Sequence, residues 1–363
     1  MDYKELNLIG STSPHLRTKD GAGHIMGEVI VAMLLPLAFS VYNFGPRALA
    51  VTLVSVAGCC FFEWLYRALM RKNNTLGDRS AVVTGILIAF VCPVTIPYWI
   101  VLVGDFFAIV VVKQLFGGVG KNFLNPALAA RAFMLSWAGE MSTWVGPRTA
   151  TPILRMAKDS VPEVLAPLAG SFDAVTYPTP MALLHENNLS GLQQMYDLPK
   201  MLVGLKGGCI GEVSALLLIL CGVFLVWRKV ITWYIPVSYI GTVAVLTFLF
   251  PRGNDPVQWM LYNLLGGGLM LGAIFMATDY VTSPVSHLGQ AIFGIGCGLI
   301  TVFIRYFGSY SEGVCYSILI MNLTVWIIDK NIHPRRFGVP KAVKVKKAKE
   351  PKEEKAKKEA AKK

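Results

Sequence analysis

Apolar runs recur along this chain at spacings that leave little room for anything but membrane-crossing helices. Read between polar punctuation, they give ten segments, at about 25–43, 47–66, 80–92, 98–116, 126–139, 207–227, 231–250, 257–278, 286–307 and 313–329. A helix needs about 20 apolar residues to cross the hydrocarbon of a bilayer. Inside lipid every backbone polar group must be satisfied within the protein, so the crossing elements are helices or a closed barrel. Charged side chains make up 15% of the chain and hydrophobic ones 54%, whereas soluble domains carry about 25% charged residues. A soluble globular enzyme and a disordered scaffold are both excluded. The expected fold is an all-α integral membrane protein of about ten transmembrane helices.

Charge placement predicts how those helices are oriented. Of the net charge of +12, the tail 341–363, with 11 Lys and 4 Glu, supplies +7. The rest is spread thinly over the chain, which is no footprint for nucleic acid. A Lys-rich tail favours the cytoplasmic side and anionic lipid. Ten spans put both termini there. Arg67, Arg71, Lys72, Lys113, Lys121, Arg228 and Lys229 then fall in loops on the same side. The expected organisation is a cytoplasmic segment 1–24, a first membrane half 25–139, an extracytoplasmic excursion 140–206, a second membrane half 207–330 and a cytoplasmic tail 331–363. The stretch from Pro93-Val94 to Phe116-Gly117 matches Pro284-Val285 to Phe307-Gly308 at a constant offset of 191 residues. Five spans per half would invert one half relative to the other, the plan of many transport proteins. Segments 80–92 and 126–139 are short for a full crossing, which points to broken helices lining an internal site.

Ionisable residues within apolar segments are costly and usually functional. Asp105 sits mid-way along the fourth segment, Arg131 within the short fifth, and Asp279 at the end of the eighth, with Glu63 and Glu28 nearer segment ends. Asp105 and Arg131 read equally well as one buried structural pair; Asp279 and Asp105 are the ion-pathway candidates. The seven cysteines lie mostly in apolar runs without a C-x-x-C pair, so they read as small buried hydrophobes rather than ligands of an iron–sulfur cluster. The loop KQLFGGVGKNFLNPA, from Lys113, combines glycines with Asn122 and Asn125 ahead of Pro126. Two carboxamides three residues apart suit the polar edge of a planar ring, and a glycine-rich turn with Asn caps is the bland alternative. Thr-Pro sites occur at Thr151 and Thr179; either also reads as a helix cap with proline following.

Taken together, these motifs resemble the D subunit of the Rnf ion-translocating electron-transport complex and, more distantly, the B subunit of the sodium-translocating NADH:quinone reductase. The resemblance runs from Thr12-Ser13-Pro14-His15 to Asp329 and Pro334-Arg335. It is carried by Ser80-Ala81 with Thr84-Gly85, KQLFGGVGKNFLNPA, DAVTYPTPM (173–181), Thr278-Asp279-Tyr280-Val281-Thr282 and RYFGSYSEGVCYSILIMN (305–322). It implies two flavins. One is FMN joined through a phosphoester to Thr179, where Ala174 and Pro178 depart from the usual Gly and Ala. Thr151 has the Ala-Thr-Pro core but lacks the preceding Asp. The other is riboflavin held without a covalent bond by Thr84, Asn122 and Asn125.

The implied role is a membrane flavoprotein subunit of an oxidoreductase that moves electrons between ferredoxin and NAD and translocates Na+ or H+. The implied partners are the other subunits, including a flavin-bearing G subunit and an NAD-binding C subunit, in a prokaryotic inner membrane, with no activity expected of this chain alone. A quinone reductase subunit is the nearest alternative, and a solute channel or secondary transporter the alternative of another class.

Overall fold

The computed structural model describes residues 21–146, 178–187, 189–212, 214–253 and 255–332. No strand occurs among them. The helices are α1 (Ala22–Phe44), α2 (Pro46–Leu69), α3 (Ser80–Phe90), α4 (Tyr98–Phe106, continued in wide turns through Phe107–Gln114), α5 (Pro126–Met134), α6 (Pro180–His185), α7 (Leu189–Met195), α8 (Leu198–Val203), α9 (Ala215–Trp227), α10 (Tyr234–Leu249), α11 (Pro256–Leu265), α12 (Leu269–Met276), α13 (His287–Phe307) and α14 (Val314–Asn331). Pro46, Pro126, Pro180 and Pro256 each open a helix, where a missing N–H costs nothing. Asn125, Ser214, Asp255 and Ser286 cap helix starts by accepting from backbone N–H groups.

By length and composition α1, α2 and α13 each suffice to cross a membrane, and α11 with α12 qualifies as one span bent by 62°. Besides those in the core, many large apolar side chains face outward: Trp227 is 76% exposed, Phe307 73% and Trp326 70%. An apolar exterior is what lipid requires and water does not tolerate at this extent. The chain is a multi-pass membrane protein. The sequence treats 257–278 as one span; the structure interrupts it at Gly266–Gly268, where Gly267 takes a φ of +63°. A Cβ on Gly267 would collide with the Glu312 carboxylate, so the break depends on glycine both for conformation and for room. The segment 207–227 is α-helical only from Ala215, with a single 3-10 turn at Ile210–Glu212 before it, where the Ile210 N–H donates to Cys92 O at 3.0 Å.

α1 packs on α9 and α5 on α14, while α10 and α13 share a long contact. Small residues set that contact: Gly294 and Gly298 of α13 lie against Ser238 and Thr242 of α10, and a Cβ on Gly298 would stand 2.6 Å from Thr242 Cβ. Close backbone approach of this kind gives helices in lipid their packing attraction. Below it the Tyr239 hydroxyl meets Thr301 Oγ1 at 2.6 Å and Ser317 Oγ at 3.0 Å, joining α10, α13 and α14. Gly298→Val should separate α10 from α13 and destabilise the fold by about 1–3 kcal/mol, read as a lower thermal midpoint in detergent.

Candidate functional site

Four sequence-distant stretches close around one cleft. Thr84 and Ser80 come from α3, Lys113 from the end of α4, Asn122 and Asn125 from the glycine-rich turn before α5, and Thr278, Asp279 and Tyr280 from the turn after α12. Its walls are apolar, with Met26, Val29, Leu87, Ile274 and Phe275 among them. The cleft opens to solvent, and its cavity volume is about 100 Å³. Apolar walls with a few convergent polar groups are the usual make-up of a small-molecule site. All three residues assigned to riboflavin by resemblance line it, together with Asp279.

The polar groups are held in place by local bonds. Asn125 accepts from the N–H groups of Ala127 and Leu128 at 3.0 and 3.3 Å, capping α5, and its Nδ2 donates to Met276 O at 3.1 Å. That bond ties the start of α5 to the end of α12. Asn122 Nδ2 donates to Leu124 O at 3.0 Å, and Thr84 Oγ1 to Ser80 O at 2.9 Å. The turn leading to Asn122 needs glycine: Gly117, Gly118 and Gly120 all have positive φ. Thr282 Oγ1 donates to Asp279 Oδ2 at 3.2 Å, and the Tyr280 hydroxyl donates to Val230 O. Asn322, with its amide turned to satisfy its neighbours, donates to Thr282 O at 3.1 Å and accepts the Asn125 N–H at 3.2 Å.

Lys113 corrects the sequence reading. It was expected in a loop, and Glu63 near a span end; both are buried and paired at 2.8 Å. Lys113 Nζ also donates to Ser80 Oγ at 2.7 Å, while Gln114 Nε2 and Thr75 Oγ1 donate to Glu63 Oε1 at 3.0 and 2.7 Å. A buried pair persists when its remaining lone pairs and protons are satisfied in this way. No local pattern reveals the pairing, because the two residues lie 50 positions apart.

The other candidates lie elsewhere. Asp105 is fully buried between α2 and α4, accepting from Ser55 Oγ at 2.7 Å and Cys59 Sγ at 3.4 Å, with Oδ2 unpartnered. Arg131 faces Glu212 at 3.5 Å instead, so the two do not form the pair that the sequence allowed. Thr179 stands before α6 and its Oγ1 accepts the Ala182 N–H at 3.2 Å. A cap uses the oxygen's lone pair and leaves its proton replaceable, so this position fits an ester linkage. Thr151, Asp173 and Thr176 lie outside the described residues, as do 147–177 generally and the tail 333–363. Among the described residues no cluster of His, Cys, Asp or Glu suits a metal ion.

Residues 9–338 match the model of the NQR2, RnfD, RnfE family. The chain belongs to this family. Among curated relatives it is similar to the D subunit of the Na(+)-translocating ferredoxin:NAD(+) oxidoreductase complex of Acetobacterium woodii, at 44% identity over 95% of this chain and 99% of the relative. It is also similar to the D subunit of the proton-translocating ferredoxin:NAD(+) oxidoreductase complex of Clostridium ljungdahlii, at 38% identity over 90% of this chain and 95% of the relative. The D subunit of the ion-translocating oxidoreductase complex of Stutzerimonas stutzeri is 35% identical over 88% of the chain and 93% of the relative. These relatives are subunits of ion-translocating oxidoreductase complexes.

Lys113→Met should leave Glu63 buried and unpaired, a loss of about 3–5 kcal/mol. The double variant Glu63→Gln with Lys113→Met should recover most of it, measured by thermal unfolding in detergent.

Proposed function

We propose that this chain is the D-type membrane subunit of a ferredoxin:NAD+ oxidoreductase complex that translocates Na+ or H+, and that it relays electrons across the membrane between two flavins. FMN would be esterified to Thr179, and riboflavin held in the cleft of Thr84, Asn122 and Asn125. The observation that carries this reading is that cleft: three residues assigned by resemblance alone converge on one apolar slot. Its apolar walls suit a flat ring, and the Thr84 hydroxyl and Asn122 amide suit a polar ring edge. When bound, the flavins supply the electron-carrying chemistry. The chain's own part is to hold the rings, exclude water and set the local charge. Lys113 lines the cleft wall with its Nζ paired to the Glu63 carboxylate.

One short helix, α12, would lie between the two sites. Met181, two residues after Thr179, lies against Gly266 and Gly267 at one end of α12. Asn125 binds Met276 O at the other end. α12 is eight residues long, about 12 Å. Asp279 lines the cleft itself and is the leading ion-pathway residue; Asp105, with an unpartnered buried oxygen, is the second.

In the same reading the membrane part is two five-helix halves, 25–139 and 207–330, in inverted repeat, with both termini cytoplasmic and the flavin-bearing segment 140–206 outside. The 191-residue offset sets α4 on α13 and α3 on α12, and both α3 and α12 are short. Partner subunits would include the flavin-bearing G and NAD-binding C subunits. The resemblance to sodium-translocating quinone reductase leaves that complex as the nearest alternative.

Denatured protein from its own host should fluoresce on a gel under ultraviolet light, and Thr179→Val should abolish this while Thr151→Val does not. A wild type without fluorescence would favour a transporter instead. Asn122→Leu should keep the covalent fluorescence and lose most of the flavin released on denaturation, measured by chromatography of the extract.

A further inference from the structure

The break between α11 and α12 is ringed by largely buried charge that the electron relay does not use. Arg131 comes from α5, Lys206 and Glu212 from the stretch before α9, Arg305 from α13 and Glu312 from the loop before α14. Three cations against two carboxylates leave one positive charge in excess.

The two carboxylates meet at one glycine. A Cβ on Gly268 would stand 2.5 Å from Glu212 Oε1 and 3.5 Å from Glu312 Oε2. Glu312 Oε1 accepts the Gly268 N–H at 3.0 Å. Glu212 Oε1 is buried without a hydrogen-bond partner, and the Arg131 guanidinium is 3.5 Å from it. Two carboxyl groups sharing a site favour holding one proton between them.

Arg305 adds the opposite need. Its side chain is 2% exposed and its Nη1 donates to Asn263 O at 2.7 Å, yet Nε and Nη2 have no hydrogen-bond partner. Glu312 Oε1 is 4.0 Å from Nη2. Unmet donors and an unmet acceptor thus occur in one cluster. A metal cation would serve only the carboxylate and is opposed by the excess positive charge, and an anion would serve only the guanidinium. Water serves both. The cavity against Arg305 has a volume of about 10 Å³ and opens to solvent between α6 and Ser311, which is room for about one water.

We propose that Glu212 and Glu312 form a water-linked proton-exchange site, which takes up one proton as an electron reaches the Thr179 end of α12 and releases it as the electron moves on. The inference rests on the reading that Thr179 carries a redox cofactor. Met181, two residues after Thr179, approaches the same turn as Glu312: a Cβ on Gly267 would stand 2.9 Å from Met181 Cγ and would overlap Glu312 Oε1. Negative charge arriving there acts on the carboxylates through a poorly screening interior and favours their protonated form. In that step one O–H bond forms on a carboxylate oxygen. The proton comes from water at the mouth of the small cavity, and the electron from the preceding redox carrier of the complex. When the electron leaves, Arg131, Lys206 and Arg305 favour the ionised pair again. The neighbouring thiols Cys209 and Cys315 keep their protons in bonds to Val91 O at 3.2 Å and Leu128 O at 3.4 Å, and Cys92 is fully buried. His185, at the cavity wall, is bonded to Gly308 O at 3.0 Å.

The test is the infrared difference spectrum of the purified complex between its oxidised and electrochemically reduced states. Reduction should produce a carboxylic acid C=O band that moves in heavy water. Glu212→Gln and Glu312→Gln should each shift or abolish that band, while Asp279→Asn leaves it in place. Where neither glutamine variant assembles, isotope labelling of the glutamate side chains in the wild type serves instead: the band should move with the label and persist in Glu63→Gln with Lys113→Met. Glutamine variants that unfold at lower temperature but keep the wild-type band would make the cluster a brace for the break and overturn the proposal. So would a band that is absent from the wild type, that ignores the label, or that is lost in Asp279→Asn. If gel fluorescence of the denatured wild type is present in any of these cases, the covalent flavin stands without the proton site. If it is absent, the flavin reading fails and the proposal with it.

Discussion

A helix that stops within a buried apolar stretch leaves N–H and carbonyl groups that need partners from elsewhere in the protein, and much of this structure is arranged around one such stop. At Gly266–Gly268 the orphan groups are met by side chains from distant parts of the chain. Glu312 accepts the Gly268 N–H, Lys206 Nζ donates to Leu265 O at 2.5 Å, and Arg305 binds Asn263 O one turn earlier. Arg131 and Glu212 add a further ion pair close by. These charges come from α5, from the loop and turn 204–212, from α13 and from the loop before α14. The break therefore holds five stretches of chain in register at once.

That register is what positions the two candidate cofactor sites. The near end of α12 is packed by Met181, so the helix behind Thr179 rests on the break. The far end presents Met276 O to Asn125 and sends Asp279 into the cleft. The short helix is the physical link between the two places where the resemblance puts flavins. A continuous span through 256–278 would carry neither contact.

A second line of polar groups runs along α2. Ser55, Cys59 and Glu63 recur at four-residue intervals, so they share one helix face. That face takes both charges of α4, Asp105 against Ser55 and Cys59, and Lys113 against Glu63. Close approach of α3 makes this possible, since a Cβ on Gly85 would stand 2.7 Å from Val56 Cα. Charge buried between packed helices thus joins the first three long elements to the cleft.

Sequence alone determined which stretches are helical and apolar: a helix forms in each of the ten segments, because hydrophobic runs and proline or Asn caps act over a few residues. Asp279 was legible as an ionisable residue at the end of an apolar segment and Asn122 and Asn125 as carboxamides after a glycine-rich turn, whereas Thr84 and the grouping of the three came through resemblance. Only the tertiary structure decided that they share one cleft, that Glu63 pairs with Lys113, that Arg131 turns to Glu212 rather than Asp105, and that the span after Pro256 is broken. The partner of a buried charge depends on which helix faces pack together, and that information lies in contacts between residues tens to hundreds of positions apart. Hydropathy averages over such differences: a Gly266–Gly268 run is apolar enough to pass as helix. It becomes a stop only when Glu312 and Lys206 arrive to satisfy the bonds it leaves open.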